Sequence, residues 1–237
     1  MDILYIVMPA FNEEANIEKT VREWYAVLSE KSEDSRLVVA DSGSTDKTHD
    51  ILLAMKNSDY PKLEILDTDN CFHGPKLIAL YKFAISNHAD YIFQTDSDGQ
   101  TNPKEFESFW SLRNVYKGGV FGNRTERGDG KDRAFVEKVV CFLLKLFFNV
   151  KVPDANAPFR LMNTKAVIKY IDKMQSDYNL PNIMLTTYFA FYKEEIIFKP
   201  ISFKPRTAGK NSINIIKIVK IGLKALGDFY RFRKGMI

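Results

Sequence analysis

The first hundred residues alternate between short apolar segments and longer amphipathic segments, and this alternation limits the fold more than any other feature. The apolar segments of strand length are Ile3–Met8, Leu37–Ala40, Leu63–Leu66 and Tyr91–Thr95. Helix-like segments separate them, as in consecutive β-α-β units. Because parallel strands need such helical crossovers, the chain is predicted to be an α/β protein with a mainly parallel central sheet flanked by helices.

Residues that commonly begin helices precede the predicted helices. Asn12 is expected to cap the first helix, and Ser44 or Thr45 the second. Asn102 and Pro103 together predict a further helix, since a cap residue followed by proline suits the first helical turn.

Beyond residue 118 the pattern is less regular. Strands are predicted over Gly119–Asn123 and Glu195–Phe203, with an apolar helix over 134–149 between them. A basic amphipathic helix is predicted over 212–237, which would either lie in a membrane interface or dock on the body of the protein with its lysines in water. We therefore expect a domain over residues 1–211 and a C-terminal helix over 212–237.

Charge is unevenly distributed along the chain, which carries a net charge of +4. From Lys199 onward there are ten basic residues and one acidic residue, whereas residues 1–198 hold 24 basic and 29 acidic residues. A basic end on an acidic body predicts an anionic partner. No base-reading motif accompanies the basic residues, so nucleic acid is not the expected partner.

The sequence predicts a cytoplasmic location. No signal peptide is expected at its start, and no apolar run is long enough to span a membrane. Cys71 and Cys141 lack the spacing of a metal site or a disulfide framework, so both are expected to be reduced thiols.

A proline or an aspartate stands where each of several predicted strands ends. Pro9, Asp41 and Asp96 occupy these ends, which a parallel sheet brings to one edge. Asp96 and Asp98 point the same way if the chain stays extended. A turn or a helix cap would explain this pair without a ligand. A Mg²⁺ or Mn²⁺ ion bound together with phosphates would explain why two like charges adjoin.

Three motifs at these strand ends resemble those of one enzyme family. They are Val7-Met-Pro-Ala-Phe-Asn-Glu-Glu14, Ala40-Asp-Ser-Gly-Ser-Thr-Asp46 and Thr95-Asp-Ser-Asp98. In order and separation they are similar to the motifs of family 2 inverting glycosyltransferases with a GT-A fold. The resemblance implies a glycosyltransferase that uses a nucleotide-sugar donor, either UDP- or GDP-linked.

The resemblance also implies roles for individual residues. The donor nucleotide would contact Pro9, Phe11, Glu13, Asp41, Ser42 and Asp96. Many family members have a second aspartate where this chain has Ser42, which removes one possible contact. The metal, Mg²⁺ or Mn²⁺, would be held by Asp96, Asp98 and Gln100.

Motifs in the second half resemble one subgroup of this family. They include Asn123-Arg124, Arg133, Val152–Arg160 and Phe203–Lys210. These motifs are similar to those of the subgroup that includes dolichyl-phosphate mannose synthase and bacterial polyprenyl-phosphate glycosyltransferases. That similarity implies a polyprenyl phosphate acceptor and peripheral contact with the cytosolic face of a membrane. The subgroup commonly has Gly-x-Ser-Lys where this chain has Gly209-Lys-Asn-Ser212.

The chemistry of the acceptor gives a separate argument. A hydroxyl acceptor needs a carboxylate base, whereas an ionised phosphate needs only to be held in line by cations. Hydroxyl-using relatives place a Glu-Asp pair after the metal motif, but here that pair occurs only at Glu33-Asp34. Cations are numerous instead, and Arg124, Arg133, Arg206 and Lys210 are the expected ligands of an acceptor phosphate.

The predicted catalytic residues are Asp96, Asp98, Arg133 and Asp154. The alternative is transfer to a sugar hydroxyl in polysaccharide or O-antigen synthesis, with Asp177 or Asp154 as the base. A third hypothesis is a protein that binds a nucleotide sugar without enzymatic activity. The presence of Asp41, Asp96 and Asp98 argues against it.

Overall fold

The strands lie where the alternation predicts them, with one addition. The computed structural model describes residues 1–68, 71–128, 130–206 and 215–236. Its strands are β1 (Leu4–Ala10), β2 (Arg36–Asp41), β3 (Leu63–Leu66), β4 (Tyr91–Thr95), β5 (Gly119–Arg127), β6 (Phe159–Asn163) and β7 (Ile196–Phe203). They form one sheet in the order β3-β2-β1-β4-β6-β5-β7. β6, which has no counterpart among the predicted strands, pairs antiparallel with both neighbours, while the other described pairs are parallel.

Helices cover both faces of the sheet. They are α1 (Ile17–Tyr25), α2 (Thr48–Lys56), α3 (His73–Ser86), α4 (Phe106–Trp110), α5 (Lys131–Phe148), α6 (Thr164–Ile171), α7 (Pro181–Phe191) and α8 (Ile215–Met236). Buried residues of α1, α2 and α4 form the core on one face, and those of α3 and α5 to α8 form the core on the other.

Strand β1 shows why the sheet forms. Tyr5 and Val7 belong to one core, whereas Leu4, Ile6 and Met8 belong to the other, as the two-residue period of a strand requires. Burial on both faces explains a continuous apolar run in place of an alternating one. Each such side chain contributes roughly 1.5–3 kcal/mol when fully buried.

The order of the strands opens a crevice at one edge. From β1 the chain moves to β2 and β3 on one side, and β4 then pairs on the other side of β1. At such a switch point the loops after β1 and β4 diverge, and ligands of α/β proteins bind between them. Pro9, Asp41 and Asp96 lie at this edge, as predicted.

Two of the three predicted helix starts are wrong, and the third is confirmed. Asn12 has a left-handed backbone (φ 54°) and α1 begins only at Ile17, while α2 begins at Thr48, beyond both predicted caps. Asn102 does accept a hydrogen bond from Lys104 N (3.3 Å), at the start of the 3₁₀ turn that leads into α4.

The C-terminal helix α8 packs on the body of the protein. The Phe229 ring lies 6.0 Å from that of Phe147 and 5.7 Å from that of Phe148, both on α5. The predicted boundary between residues 211 and 212 falls outside the described residues. Within the described part of the chain, no helix has both the length and the apolarity needed to cross a membrane.

Candidate active site

The loops after β1 and β2 are joined by hydrogen bonds, which explains why the predicted caps do not cap helices. The Asn12 side-chain oxygen accepts from Thr45 N (2.7 Å), and Ser44 Oγ accepts from Asn12 N (2.9 Å). Thr48 Oγ1 accepts from Glu13 N (2.8 Å). The two motifs therefore form a single rigid wall of the crevice.

Asp41 ends β2 as a buried carboxylate beside a cavity. One carboxylate oxygen, Oδ1, accepts a 2.5 Å hydrogen bond from Ser44 Oγ. The other, Oδ2, is buried and has no hydrogen-bond partner among the described residues, although His49 Nδ1 lies 3.3 Å away. The cavity has a volume of about 300 Å³ and is lined by Asp41, Ser42, Gly43, Ser44, His49, Asp67 and Thr68. A buried acceptor left without a donor is costly, so a ligand N–H at this position would be stabilised.

A buried lysine that the sequence analysis missed lies next to this wall. Lys76, in the first turns of α3, is 1% exposed and donates to the Ala10 carbonyl (2.6 Å). Its Nζ lies 5.3 Å from the centre of the half-exposed Phe11 ring. Burial lowers the pKa of Lys76, and the charge of Asp41 opposes that shift. A lysine in the first turn of a mostly apolar helix that follows a strand-end loop is the signal that could have identified it.

Asp96 and Asp98 adjoin each other where β4 ends, as the sequence predicts. Asp96 accepts from Gln94 Nε2 (3.2 Å), and Asp98 accepts from Gln100 N (3.1 Å). The intervening Ser97 donates to the Pro9 carbonyl (2.8 Å), which ties this turn to the end of β1. Burial raises the pKa of Asp96 to about 7. Burial and then the charge of Asp96 raise the pKa of Asp98 to about 6.

These two carboxylates fit a divalent cation that is shared with phosphates. In the part of the chain that the structure describes, no cluster of three or more His, Cys, Asp or Glu side chains could hold a metal. Mg²⁺ and Mn²⁺ are commonly held by one or two carboxylates together with substrate phosphates. Two adjacent carboxyl groups with raised pKa values form such a donor set, because a cation would relieve their mutual repulsion.

A buried network of hydrogen bonds between polar side chains holds Asp96 in place through Gln94. Gln94 accepts from Asn182 Nδ2 (3.1 Å), and Asn182 accepts from the Tyr81 hydroxyl (2.8 Å). Arg160 donates to the Asn182 carbonyl (3.0 Å) and to Thr186 Oγ1 (3.2 Å). Arg160 is 1% exposed, and its hydrogen bonds are made to groups inside the protein. Its role is therefore to support the residues that line the crevice.

Glu13 and Arg206 form an ion pair across the crevice. Burial raises the pKa of Glu13, against the hydrogen bond from Asn16 and the charge of Arg206. Gln100, which the resemblance places at the metal, donates through its side-chain Nε2 to the Lys204 carbonyl (2.7 Å). It thereby holds the segment that carries Arg206 next to the Asp98 turn.

Arg124 and Asp154 pair with each other inside the protein. Arg124 donates to both carboxylate oxygens of Asp154 (2.8 Å each) and to Glu137 (3.2 Å). Burial would raise the pKa of Asp154, but the hydrogen bonds and charge of Arg124 lower it. This arrangement favours a structural role for Arg124 and Asp154 over phosphate binding and base catalysis.

The remaining predicted site residues have different surroundings. Arg133 is partly buried and its charge acts on the pKa of Asp98, so it lies near that carboxylate. Ser42 accepts from Thr68 N (2.7 Å), which joins the loops after β2 and β3. Asp177 is exposed between α6 and α7. Lys210 lies outside the described residues.

The fold is the GT-A fold, a mostly parallel sheet flanked by helices with one reversed strand beside the crevice. The model of the Glycosyl transferase family 2 domain matches residues 5–171, and the chain belongs to that family. It is a glycosyltransferase, as the sequence predicts.

Curated relatives and solved structures agree with this assignment. A glycosyltransferase of Bacillus subtilis, YkoT, is 26% identical over 96% of this chain and 67% of its own length. The undecaprenyl-phosphate 4-deoxy-4-formamido-L-arabinose transferase of Shewanella sediminis is 22% identical over 93% of this chain and 65% of its own. The chain thus spans about two thirds of these relatives. Glucosyl-3-phosphoglycerate synthase of Mycobacterium tuberculosis, solved with UDP, superposes with a TM-score of 0.68 at 16% identity, covering 99% of this chain and 80% of that one.

Proposed function

We propose that this protein is a metal-dependent inverting glycosyltransferase that moves a sugar from a nucleotide-sugar donor to a polyprenyl phosphate. The observation that carries the proposal is the pair Asp96 and Asp98, with raised pKa values, at the same edge of the sheet as Asp41, whose Oδ2 has no hydrogen-bond partner among the described residues. A cation would satisfy Asp96 and Asp98, and an N–H donor would satisfy Asp41. A nucleoside diphosphate with its bound metal ion would supply both.

The donor nucleotide would lie along the wall formed by the loops after β1 and β2. Asp41 would accept a hydrogen bond from a base N–H in the 300 Å³ cavity, and the exposed ring of Phe11 would contact the nucleotide. Lys76 would add a positive charge beside Phe11. Glucosyl-3-phosphoglycerate synthase has been solved with Mn²⁺ and UDP-glucose, which supports a donor of this class.

Asp96 and Asp98 would hold Mg²⁺ or Mn²⁺ against the diphosphate. When bound, this ion supplies positive charge that stabilises the leaving nucleoside diphosphate. The protein's contribution is to keep both carboxylates in place, through the Gln94–Asn182 hydrogen bond beneath Asp96 and the Gln100 backbone N–H beside Asp98. Arg206 and Arg133 lower the pKa of Asp98 and so favour its ionised form.

The acceptor would approach from the side of Arg133 and Arg206. A phosphate monoester is largely ionised near neutral pH, so it needs cations to hold it in line and no base to activate it. Support comes from the charges around Asp98 and from the similarity to the undecaprenyl-phosphate transferase of Shewanella sediminis. Asp154, bonded to Arg124, is poorly placed to act as the base that a hydroxyl acceptor would need.

Partition of the product between solvents tests the acceptor. The protein is incubated with Mn²⁺, labelled nucleotide sugars and membranes that contain polyprenyl phosphate, and the mixture is extracted with organic solvent. We expect label in the organic phase that mild acid releases, because a sugar phosphodiester of this kind is acid-labile. Transfer that leaves all label in water-soluble glycan would overturn the lipid acceptor and favour the hydroxyl alternative.

A further inference from the structure

The cavity beside Asp41 offers a ligand one buried carboxylate oxygen. Asp41 is 2% exposed. Its Oδ1 accepts from Ser44 Oγ at 2.5 Å, whereas its Oδ2 has no hydrogen-bond partner among the described residues. Asp67, the other carboxylate that lines the cavity, is exposed and therefore hydrated. Asp41 can thus satisfy a single N–H group of a ligand that enters the cavity.

Ser42, which lines the same cavity, is available as a hydrogen-bond donor. Its Oγ accepts from Thr68 N at 2.7 Å and from Thr68 Oγ1 at 3.0 Å. A hydroxyl oxygen has two lone pairs, and these two bonds use both of them. The Ser42 hydroxyl makes no donated hydrogen bond within the part of the chain that the structure describes. Its proton can therefore be donated to a carbonyl oxygen of a ligand.

His49 supplies a second donor from the first turn of α2. Its Nδ1 lies 3.3 Å from Asp41 Oδ2, and its side chain is 39% exposed. No hydrogen bond joins these two atoms, and both residues line the cavity, so the two groups lie side by side at its wall. A neutral imidazole carries its proton on Nδ1 here, because a nitrogen lone pair would otherwise adjoin a carboxylate oxygen. Nδ1 is therefore a donor in the neutral and in the protonated ring.

One acceptor and two donors match the nucleotide bases unequally. The hydrogen-bonding edge of uracil has a single N–H between two carbonyl oxygens, and it matches this set. Cytosine and adenine present an amino group with two N–H bonds, and guanine has a ring N–H as well as an amino group. Each of these three bases therefore brings an N–H that Asp41 Oδ2 cannot accept. A buried N–H without an acceptor costs free energy, so the cavity would disfavour them.

We propose that His49 and Ser42 act with Asp41 as specificity-determining residues that select uracil, so that the donor is a uridine-diphosphate sugar. Asp41 Oδ2 accepts the ring N–H of the base. His49 Nδ1 and Ser42 Oγ donate to the two carbonyl oxygens beside that N–H. The proposal rests on the proposed function, since it assumes that a nucleotide donor occupies this cavity, and it adds the base and the two residues that recognise it.

Isothermal titration of the whole chain in the presence of Mn²⁺ tests the choice of base. We expect UDP to bind about tenfold or more tightly than CDP and GDP. UDP that is methylated at the ring nitrogen, and so lacks the N–H, should bind about tenfold more weakly than UDP, as expected for the loss of a hydrogen bond to a charged group. Equal affinity for UDP and either CDP or GDP would overturn the proposal, and so would undiminished binding of the methylated ligand.

Two variants of similar shape test His49. Leucine branches at the same carbon but donates no hydrogen bond, whereas asparagine places an amide nitrogen near the position of Nδ1. His49→Leu should weaken UDP binding about fivefold, as expected for one hydrogen bond between uncharged groups, and His49→Asn should retain most of the affinity. His88→Asn, which changes an exposed histidine after α3, is the matched control and should bind UDP like the wild type. A His49→Leu variant that binds UDP like the wild type, or a loss of equal size in His49→Asn, would remove His49 from the proposal.

Ser42 has a pair of variants of its own. Ser42→Ala should weaken UDP binding about fivefold, whereas Ser42→Thr, which keeps the hydroxyl, should bind UDP nearly as the wild type does. Because Ser42→Ala also leaves Thr68 N without its acceptor, thermal unfolding without ligand first establishes that the variant is folded. A folded Ser42→Ala variant with wild-type affinity for UDP would show that this hydroxyl does not contact the base.

Failure of this proposal can be separated from failure of the proposed function. Pyrophosphate with Mn²⁺ should bind the wild type and the His49 and Ser42 variants equally, because it has no base for these residues to contact. Binding of UDP, CDP and GDP with equal affinity would leave the class of donor intact and overturn the choice of uracil alone. Absence of binding by all three diphosphates and by pyrophosphate would overturn both proposals.

Discussion

At the scale of single residues, Asp98 illustrates how the proposed site opposes stability. It is held beside Asp96 in a partly buried crevice, where burial and like charge raise its pKa. We expect Asp98→Asn to abolish metal-dependent transfer and yet to stabilise the metal-free protein by roughly 1–3 kcal/mol at pH 8, because an amide removes the repulsion. Urea unfolding in EDTA measures the second effect. Asp59→Asn, in an exposed turn, is the control and should change stability little.

The same raised pKa values predict a pH dependence. Asp96 and Asp98 titrate at about 7 and about 6 in the folded state and near 3.8 in the unfolded chain. The folded state therefore binds more protons between these values, so its stability without metal should fall as pH rises from about 4 to about 7. Bound Mn²⁺ displaces those protons, so its affinity should rise over the same range. Calorimetry at pH 5.5 and 8 checks this, and a pH-independent affinity would contradict it.

Asp41 carries a residue-scale prediction about the nucleotide base. Its Oδ2 has no hydrogen-bond partner among the described residues, so a base N–H would satisfy it. Asp41→Ala should weaken binding of the nucleoside diphosphate with Mn²⁺ by roughly tenfold, about 1.4 kcal/mol, as expected for a hydrogen bond to a charged group. Isothermal titration measures this loss. Pyrophosphate with Mn²⁺ is the control ligand, and a comparable loss of its affinity would show that Asp41 does not act on the base.

At the scale of elements, a buried salt bridge joins β5, α5 and the segment before β6. Asp154 is 3% exposed and bonded to Arg124. Removing one partner of a buried ion pair leaves the other charge uncompensated, so Asp154→Asn should cost about 3–5 kcal/mol. Asp172→Asn breaks an exposed ion pair with Lys82 and should cost less than about 1 kcal/mol. Denaturant unfolding compares them.

The Asp154 variant also separates the two acceptor hypotheses. Where Asp154 is structural, the folded fraction of Asp154→Asn should retain turnover with the pH profile of the wild type. Loss of the acid limb of that profile, along which the rate rises as a base loses its proton, in protein shown to be folded, would instead identify Asp154 as a general base and revive the hydroxyl acceptor.

Elements also show how far sequence could predict this fold. Periodic apolar segments locate β1 to β4 because strands buried on both faces must be continuously apolar. They do not locate β6, because only its pairing with β4 and β5 reveals that Phe159–Asn163 is extended. The role of the predicted helix-cap residues also depends on contacts between distant segments. Asn12 and Ser44 have the composition of helix caps, but their hydrogen bonds join one loop to another.

The site was predictable to the same extent. Aspartates at strand ends are visible in the sequence, because the parallel sheet converts spacing into position at one edge. Whether an arginine faces a ligand or a buried carboxylate depends on packing between distant segments. Arg124 and Arg160 are therefore indistinguishable from Arg133 in sequence, although the structure bonds the first to Asp154 and buries the second.

At the scale of the whole molecule, the crevice gathers loops from distant parts of the chain. The ends of β1, β2 and β4 meet there, and Gln100 brings in the segment after β7 through Lys204. A ligand that contacts all of them binds only the folded state, so it should stabilise the entire protein.

This gives a prediction for thermal unfolding. At a nucleoside diphosphate concentration 100 times its dissociation constant, with Mn²⁺ present, stability should rise by about 2.7 kcal/mol. For a chain of this size that corresponds to about 5–10 °C in melting temperature. Differential scanning fluorimetry with UDP, GDP and other diphosphates measures the shift and ranks the bases. EDTA should remove it, and Asp98→Asn should not show it. A shift that survives both would mean that the nucleotide binds away from the carboxylates of the β4 turn, because no cation would then link the two.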